Sequence, residues 1–219
     1  MNNTEPPKAH RLGLLVISIQ IAINLILVFT LHNLDSISWE FTSLIIATLG
    51  IASLFIMKPI RTFLVDSLKN FEVFKKASVY LHVSLGFLSL FFFQAYLYHT
   101  DISLTTTMNL LTSKAAIHPG QTLSQISLFI LGTAILIPIY EELFFRNLLQ
   151  GYLQTKLPVV WSILIVSVYF GSFHFAYVYV ATVSGIIAGI LYALHRSPYP
   201  PIMFHILWSL FSLFYYNYI

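Results

Sequence analysis

Stretches of about 20 predominantly apolar residues recur along this chain, the first running over 12–31, and that is the length an α-helix needs to cross the roughly 30 Å hydrocarbon layer of a bilayer. That layer offers no water to backbone N–H and C=O groups, so only helices and closed barrels span it. The runs here are too long and too unalternating for a barrel. With 58% hydrophobic against 9% charged residues, the sequence reads as an all-α, polytopic integral membrane helix bundle. The first run exceeds the roughly 7–15 residues of a signal-peptide core and is followed by no small-residue cleavage site, so it is expected to be retained as a span.

About seven transmembrane helices are expected, over 12–31, 41–57, 79–98, 125 to about 153, 157 to about 177, 178–194 and 201–216. They divide into a polar cytoplasmic tail (1–11), an N-terminal helical part (12–124) and a core (125–219). Asn24 is expected to face the bundle. Between the second and third spans, 58–78 carries Lys58, Arg61, Lys69, Lys75 and Lys76 interleaved with Ile60, Phe63, Leu64, Leu68, Phe71 and Phe74. Apolar residues at three- and four-residue spacing with lysines between them describe an amphipathic helix on an anionic membrane face. Ser184, Gly185 and Gly189 put small residues at helical spacing on the sixth span, where a neighbour can approach closely.

The tail (Lys8, Arg11), the 58–78 loop, the loop at Lys156 and the loop at Arg196 are basic, and the intervening loops carry only Lys114. Counting Lys and Arg in short loops therefore places the N-terminus in the cytoplasm and the C-terminus outside. The net charge of +3 lies in these loops and sets topology, so no nucleic-acid partner is expected. Cysteine is absent, which removes disulfides, thiolate metal sites and cysteine nucleophiles. A bacterial plasma membrane suits the small size and the lack of an organelle address signal.

Within the fourth apolar run, residues 138–146 read Pro-Ile-Tyr-Glu-Glu-Leu-Phe-Phe-Arg. An acidic or basic side chain at the centre of a spanning helix costs roughly 2.5–3.5 kcal/mol, so Glu141, Glu142 and Arg146 are functional candidates. Glu142 and Arg146, at i and i+4, share a face and can pair as a brace. Glu141, about 100° round the helix, is left to face the bundle interior. Pro138 removes a backbone hydrogen bond and is expected to kink the helix.

His174 on the fifth span and His205 on the seventh then complete a glutamate–histidine–histidine set able to activate a water, because imidazole exchanges protons near neutral pH. His82 is read as a hydrogen-bonded packing residue. At 1.5 Å of rise per residue, His174 is expected nearer the outer face than Glu141.

Three motifs in order, E-E-x-x-x-R (Glu141, Glu142, Arg146), F-x-x-x-H (Phe170, His174) and H-x-x-x-polar (His205, Ser209), resemble those of the CAAX-protease and bacteriocin-processing (CPBP, Abi) family of intramembrane proteases. The resemblance covers 125–212. It implies that Glu141 and His174 polarise the attacking water, while His205, with Ser209 as its partner, holds the oxyanion. Family members usually carry Asn or Asp where this chain has Ser209, and commonly glycine where it has Asn147.

The implied activity is cleavage of a peptide or membrane-protein substrate, with no cofactor required. Glu141, His174 and His205 would also satisfy a catalytic zinc site, although the His-Glu-x-x-His helix of soluble zinc proteases is absent. Two other readings are a bacteriocin-immunity or peptide-binding protein with a non-cleaving cavity, and a small proton-coupled transporter. The transporter lacks the expected internal repeat and paired discontinuous helices.

Overall fold

A computed structural model describes residues 13–32, 39–100, 121–174 and 177–217. The tail with Lys8 and Arg11, and Lys114, lie outside the described residues. Those described are helical almost throughout and contain no strand: α1 (Leu14–His32), α2 (Trp39–Ile56), α3 (Lys58–Leu68), a short 3-10 turn (Phe71–Lys75), α4 (Ala77–His99), α5 (Leu123–Leu153), α6 (Val159–Ser172), α7 (Val178–His195) and α8 (Tyr199–Asn217).

The protein is an integral membrane helix bundle. Among the described residues, three helices are long and apolar enough to cross a bilayer unaided, at Ala77–Leu97, Leu123–Leu153 and Val178–His195. A fourth candidate is the pair Phe41–Ile56 and Lys58–Lys75, bent by 106°, and three shorter apolar helices cover Leu14–Leu27, Val159–Ser172 and Tyr199–Phe214. The expected runs thus all fall on helices, but three to four rather than seven have full spanning length. Leu81, Leu85, Leu88 and Phe92 leave one face of α4 exposed and apolar, the surface that lipid covers.

The sharp bend between α2 and α3 turns the amphipathic segment back on the bundle. Part of its apolar side is covered by protein, while Val65 and Phe71 stay exposed. Ile60, Phe63 and Leu64 are buried in a cluster with Leu54 of α2 and Tyr140, Phe144 and Leu148 of α5. The three- and four-residue spacing was a correct sign of one-sided burial and carried no information about what does the burying. The lysines stay outside, Lys69 on Asp66 and Lys75 on Glu72. The hydroxyl of Tyr199 donates to the Leu68 carbonyl (2.5 Å), and its ring stacks on Phe71, which fixes the start of α8 against the end of α3.

Helix α5 is the axis of the fold. Thr122 and Gln125 form a capping box at its start, each side chain accepting the other's backbone N–H. Pro138 does not break the helix, which runs on from Leu123 to Leu153. The chain instead widens into π turns over Ile130–Leu136, just before the proline, and again over Glu142–Gln150. The Ile137 N–H reaches back five residues to the Gly132 carbonyl. Proline and π turns are both places where helices kink, and π turns are frequent at functional sites.

Asn24 does face the bundle: it accepts a hydrogen bond from the Tyr140 hydroxyl, and so links α1 to the residue before Glu141. His82 is hydrogen-bonded to His195 across α4 and α7 (3.1 Å). A second apolar cluster, with Val79, Val83, Leu90, Ala188, Leu191, Phe204 and Trp208, joins α4, α7 and α8.

Candidate active site

Three elements bring the candidate residues together. Glu141 ends the straight α-helical turn of α5, His205 lies in the first half of α8, and His174 sits just past the end of α6. Glu141 Oε1 is 3.9 Å from His174 Nε2, and its Oε2 is 3.7 Å from His205 Nε2. Those separations exceed a direct hydrogen bond and suit a bridging water. The three side chains are 12–16% exposed, enough for solvent contact, whereas Glu142 (1%) and Arg146 (0%) are sealed.

The two glutamates do not separate as their angular offset suggested. Glu142 Oε2 accepts from Arg146 Nε at 3.2 Å, as a brace should, and its Oε1 meets His205 Nδ1 at 2.8 Å. His205 is thus held between two adjacent carboxylates, Glu142 at one ring nitrogen and Glu141 at the other. Adjacent helical residues diverge at the backbone, but a ring arriving from the facing helix presents a nitrogen to each.

Hydrogen bonding assigns the tautomers. A carbonyl and a carboxylate can only accept, so His174 Nδ1–H donates to the Phe170 carbonyl (2.9 Å) and His205 Nδ1–H donates to Glu142. Both Nε2 atoms then point at Glu141. In neutral His174 that atom is an acceptor.

Phe170 holds the arrangement from below. Its buried ring lies 4.4 Å from the His174 ring, 5.9 Å from the His205 ring and 5.1 Å from the Arg146 guanidinium. The sequence showed Phe170 only as part of a motif; its position one turn before His174 was the available signal. The guanidinium over its face adds a cation–π contact worth about 0.5–2 kcal/mol.

The depth mismatch expected for His174 is not seen, since its Nε2 stands 3.9 Å from Glu141 Oε1. Helix α6 ends at Ser172, not near Tyr177.

Ser209 lies one turn beyond His205 on α8, is half-buried, and forms no hydrogen bond with His205 or either glutamate. Asn147, the other departure from the motif, is buried and well used: its Nδ2 donates to Ser67 Oγ (2.5 Å), and the Tyr192 hydroxyl donates to its Oδ1 (3.3 Å). It ties α3, α5 and α7 together. Among the described residues, no group of three or more His, Cys, Asp or Glu side chains is close enough to hold a metal ion.

Residues 122–211 match the family described as type II CAAX prenyl endopeptidase, Rce1-like, and the three motifs all lie within that stretch. No curated protein and no solved structure matches the chain.

Proposed function

We propose that this integral membrane protein of the CAAX-protease family is an intramembrane endopeptidase in which Glu141 and His174 activate a water, using the chain's own residues and no metal. The family supports a peptidase acting in the membrane. The observation that carries the finer reading is the convergence of Glu141, His174 and His205, from three elements, on one partly solvated point.

In this mechanism a water sits between the Glu141 carboxylate and His174 Nε2. Glu141 takes a proton as the water oxygen attacks the peptide carbonyl. The oxyanion that forms faces His205, whose Nε2–H donates to it when the ring is doubly protonated. Collapse of the tetrahedral intermediate breaks the C–N bond, and Glu141 returns its proton to the leaving amine. Glu142 and Arg146 act behind His205 as positioning residues. Ser209 stands one turn from His205, where a substrate carbonyl would bring its hydroxyl into play. The substrate is a peptide or a membrane protein.

The test is to compare, by mass spectrometry, membrane and secreted peptides from cells making the wild-type chain and cells making His174→Gln at equal level. Peptides with termini that vanish in the variant are expected. Identical peptide pools would overturn the reading in favour of a non-cleaving peptide binder. With a product in hand, saturating chelator is expected to leave its rate of formation unchanged. Loss of the rate with chelator, and its recovery with zinc, would assign Glu141, His174 and His205 to a metal instead.

A further inference from the structure

Hydrolysis at this site builds negative charge on a carbonyl oxygen, and the three converging side chains offer few donors to receive it. An ionised Glu141 can only accept. In its neutral ring His174 has Nδ1–H committed to the Phe170 carbonyl, and neutral His205 has Nδ1–H committed to Glu142, so each Nε2 is an acceptor. Only a doubly protonated ring turns a donor toward the reacting oxygen.

Beside this set stands a donor with no such commitment. Past the end of α6 the Tyr177 N–H donates to the His174 carbonyl (2.9 Å), closing a single turn that folds Tyr177 back onto His174. The two rings lie 5.2 Å apart, tilted by 58°. The Tyr177 side chain packs against both apolar clusters, the one holding Tyr140, Phe145 and Phe170 and the one joining α4, α7 and α8. Its ring is therefore held by its carbons. The hydroxyl has no hydrogen-bond partner among the described residues, and the residue is only half-buried. Tyr140, Tyr192 and Tyr199, by contrast, each spend theirs on a partner, at Asn24, Asn147 and the Leu68 carbonyl.

The charge that acts on the Tyr177 hydroxyl is that of Glu141, which feels it through space without bonding it. A phenol, with an ordinary pKa near 10, keeps its proton at neutral pH and is a donor there. Placed by its ring and uncommitted at its oxygen, it is arranged as a group that bonds only when charge develops in front of it.

We propose that Tyr177 is a further catalytic donor of this site, its hydroxyl donating to the oxyanion of the tetrahedral intermediate from the His174 side while His205 faces that oxyanion from α8. The phenol keeps its hydrogen as the intermediate forms and collapses, so no proton changes hands, and it donates in either charge state of His205. This role rests on the peptidase reading.

Tyr177→Phe deletes one oxygen and keeps the ring contacts, so its unfolding midpoint is expected to match the wild type. On a peptide identified by the cellular comparison, the purified variant is expected to lose roughly 100-fold in kcat, with KM within about two-fold. The limbs of its kcat/KM against pH are expected to stay in place, because Glu141 and His174 lose no partner. A phosphinate analogue of the same peptide, tetrahedral and anionic at the reacting centre, is expected to bind the variant more weakly by about the same factor. Normal kcat, or a loss confined to KM, would overturn the role. A displaced acidic limb with unchanged analogue affinity would overturn it too, by making the hydroxyl a positioning group for Glu141. A wild type that cleaves as fast as Tyr177→Phe sinks this role alone, whereas a wild type that cleaves nothing sinks the peptidase reading and the role with it.

Discussion

Glu141→Gln is expected to lower kcat/KM by roughly 10³–10⁴, or about 4–5.5 kcal/mol of transition-state stabilisation, with KM little changed. The carboxylate has two tasks in the proposed cycle, taking a proton from water and returning it to the leaving amine, and an amide performs neither. Size and hydrogen-bonding shape are nearly preserved, so the helix is expected to keep its place. Its neighbour supplies the contrast. Glu142→Gln still offers an oxygen to His205 Nδ1 and is expected to cost about 10–100-fold, the usual range for a group that orients another. Purified enzyme on a peptide identified from the cellular comparison gives both numbers. Equal losses for the two variants, or near-normal activity in Glu141→Gln, would reverse the assignment of the two glutamates.

Arg146→Met is expected to lower the unfolding free energy by about 3–5 kcal/mol, the loss typical when one member of a buried ion pair is removed and the other is left uncompensated. Glu142 is almost fully enclosed, and after the change only His205 would remain to offset its charge. Methionine roughly fills the volume and keeps an apolar contact with Phe170, so the loss reports on charge more than on packing. The double variant Glu142→Gln with Arg146→Met removes both charges, and is expected to regain much of the stability without regaining activity, since His205 loses its carboxylate. Thermal unfolding in detergent measures the first effect and turnover the second. An unchanged midpoint in Arg146→Met would mean that Glu142 is carried neutral or bonded elsewhere.

Much of this was legible beforehand, because the energetic cost of charge in lipid singles out few residues. Glu141, Glu142, Arg146, His174 and His205 stood out as ionisable groups inside apolar runs, and the structure gathers all five within one site. What the pattern could not supply was anything set by a facing element. The offset between Glu141 and Glu142 is a property of α5 alone, and it says nothing of a ring on α8 that meets both. The spacing in 58–78 reports a one-sided helix but not the 106° bend that lays its apolar side on α5. Pro138 marked a local departure from ideal helix geometry, but the wider turns before and after it were not legible from the proline alone. The depth of His174 was misplaced because counting rise per residue takes no account of tilt, and the run read as a full fifth span yields an α6 of only 14 residues.

That last point has a consequence for the lipids around the protein. A helix of 14 residues, as α6 is, covers only about 21 Å of a hydrocarbon layer near 30 Å thick. Its exposed outer side carries Trp161, Leu164, Ile165 and Val168, and local thinning of the bilayer or snorkelling of flanking residues would absorb the shortfall. In the proposed peptidase, the depth at which a substrate bond meets Glu141 would then depend on acyl-chain length as well as on the protein.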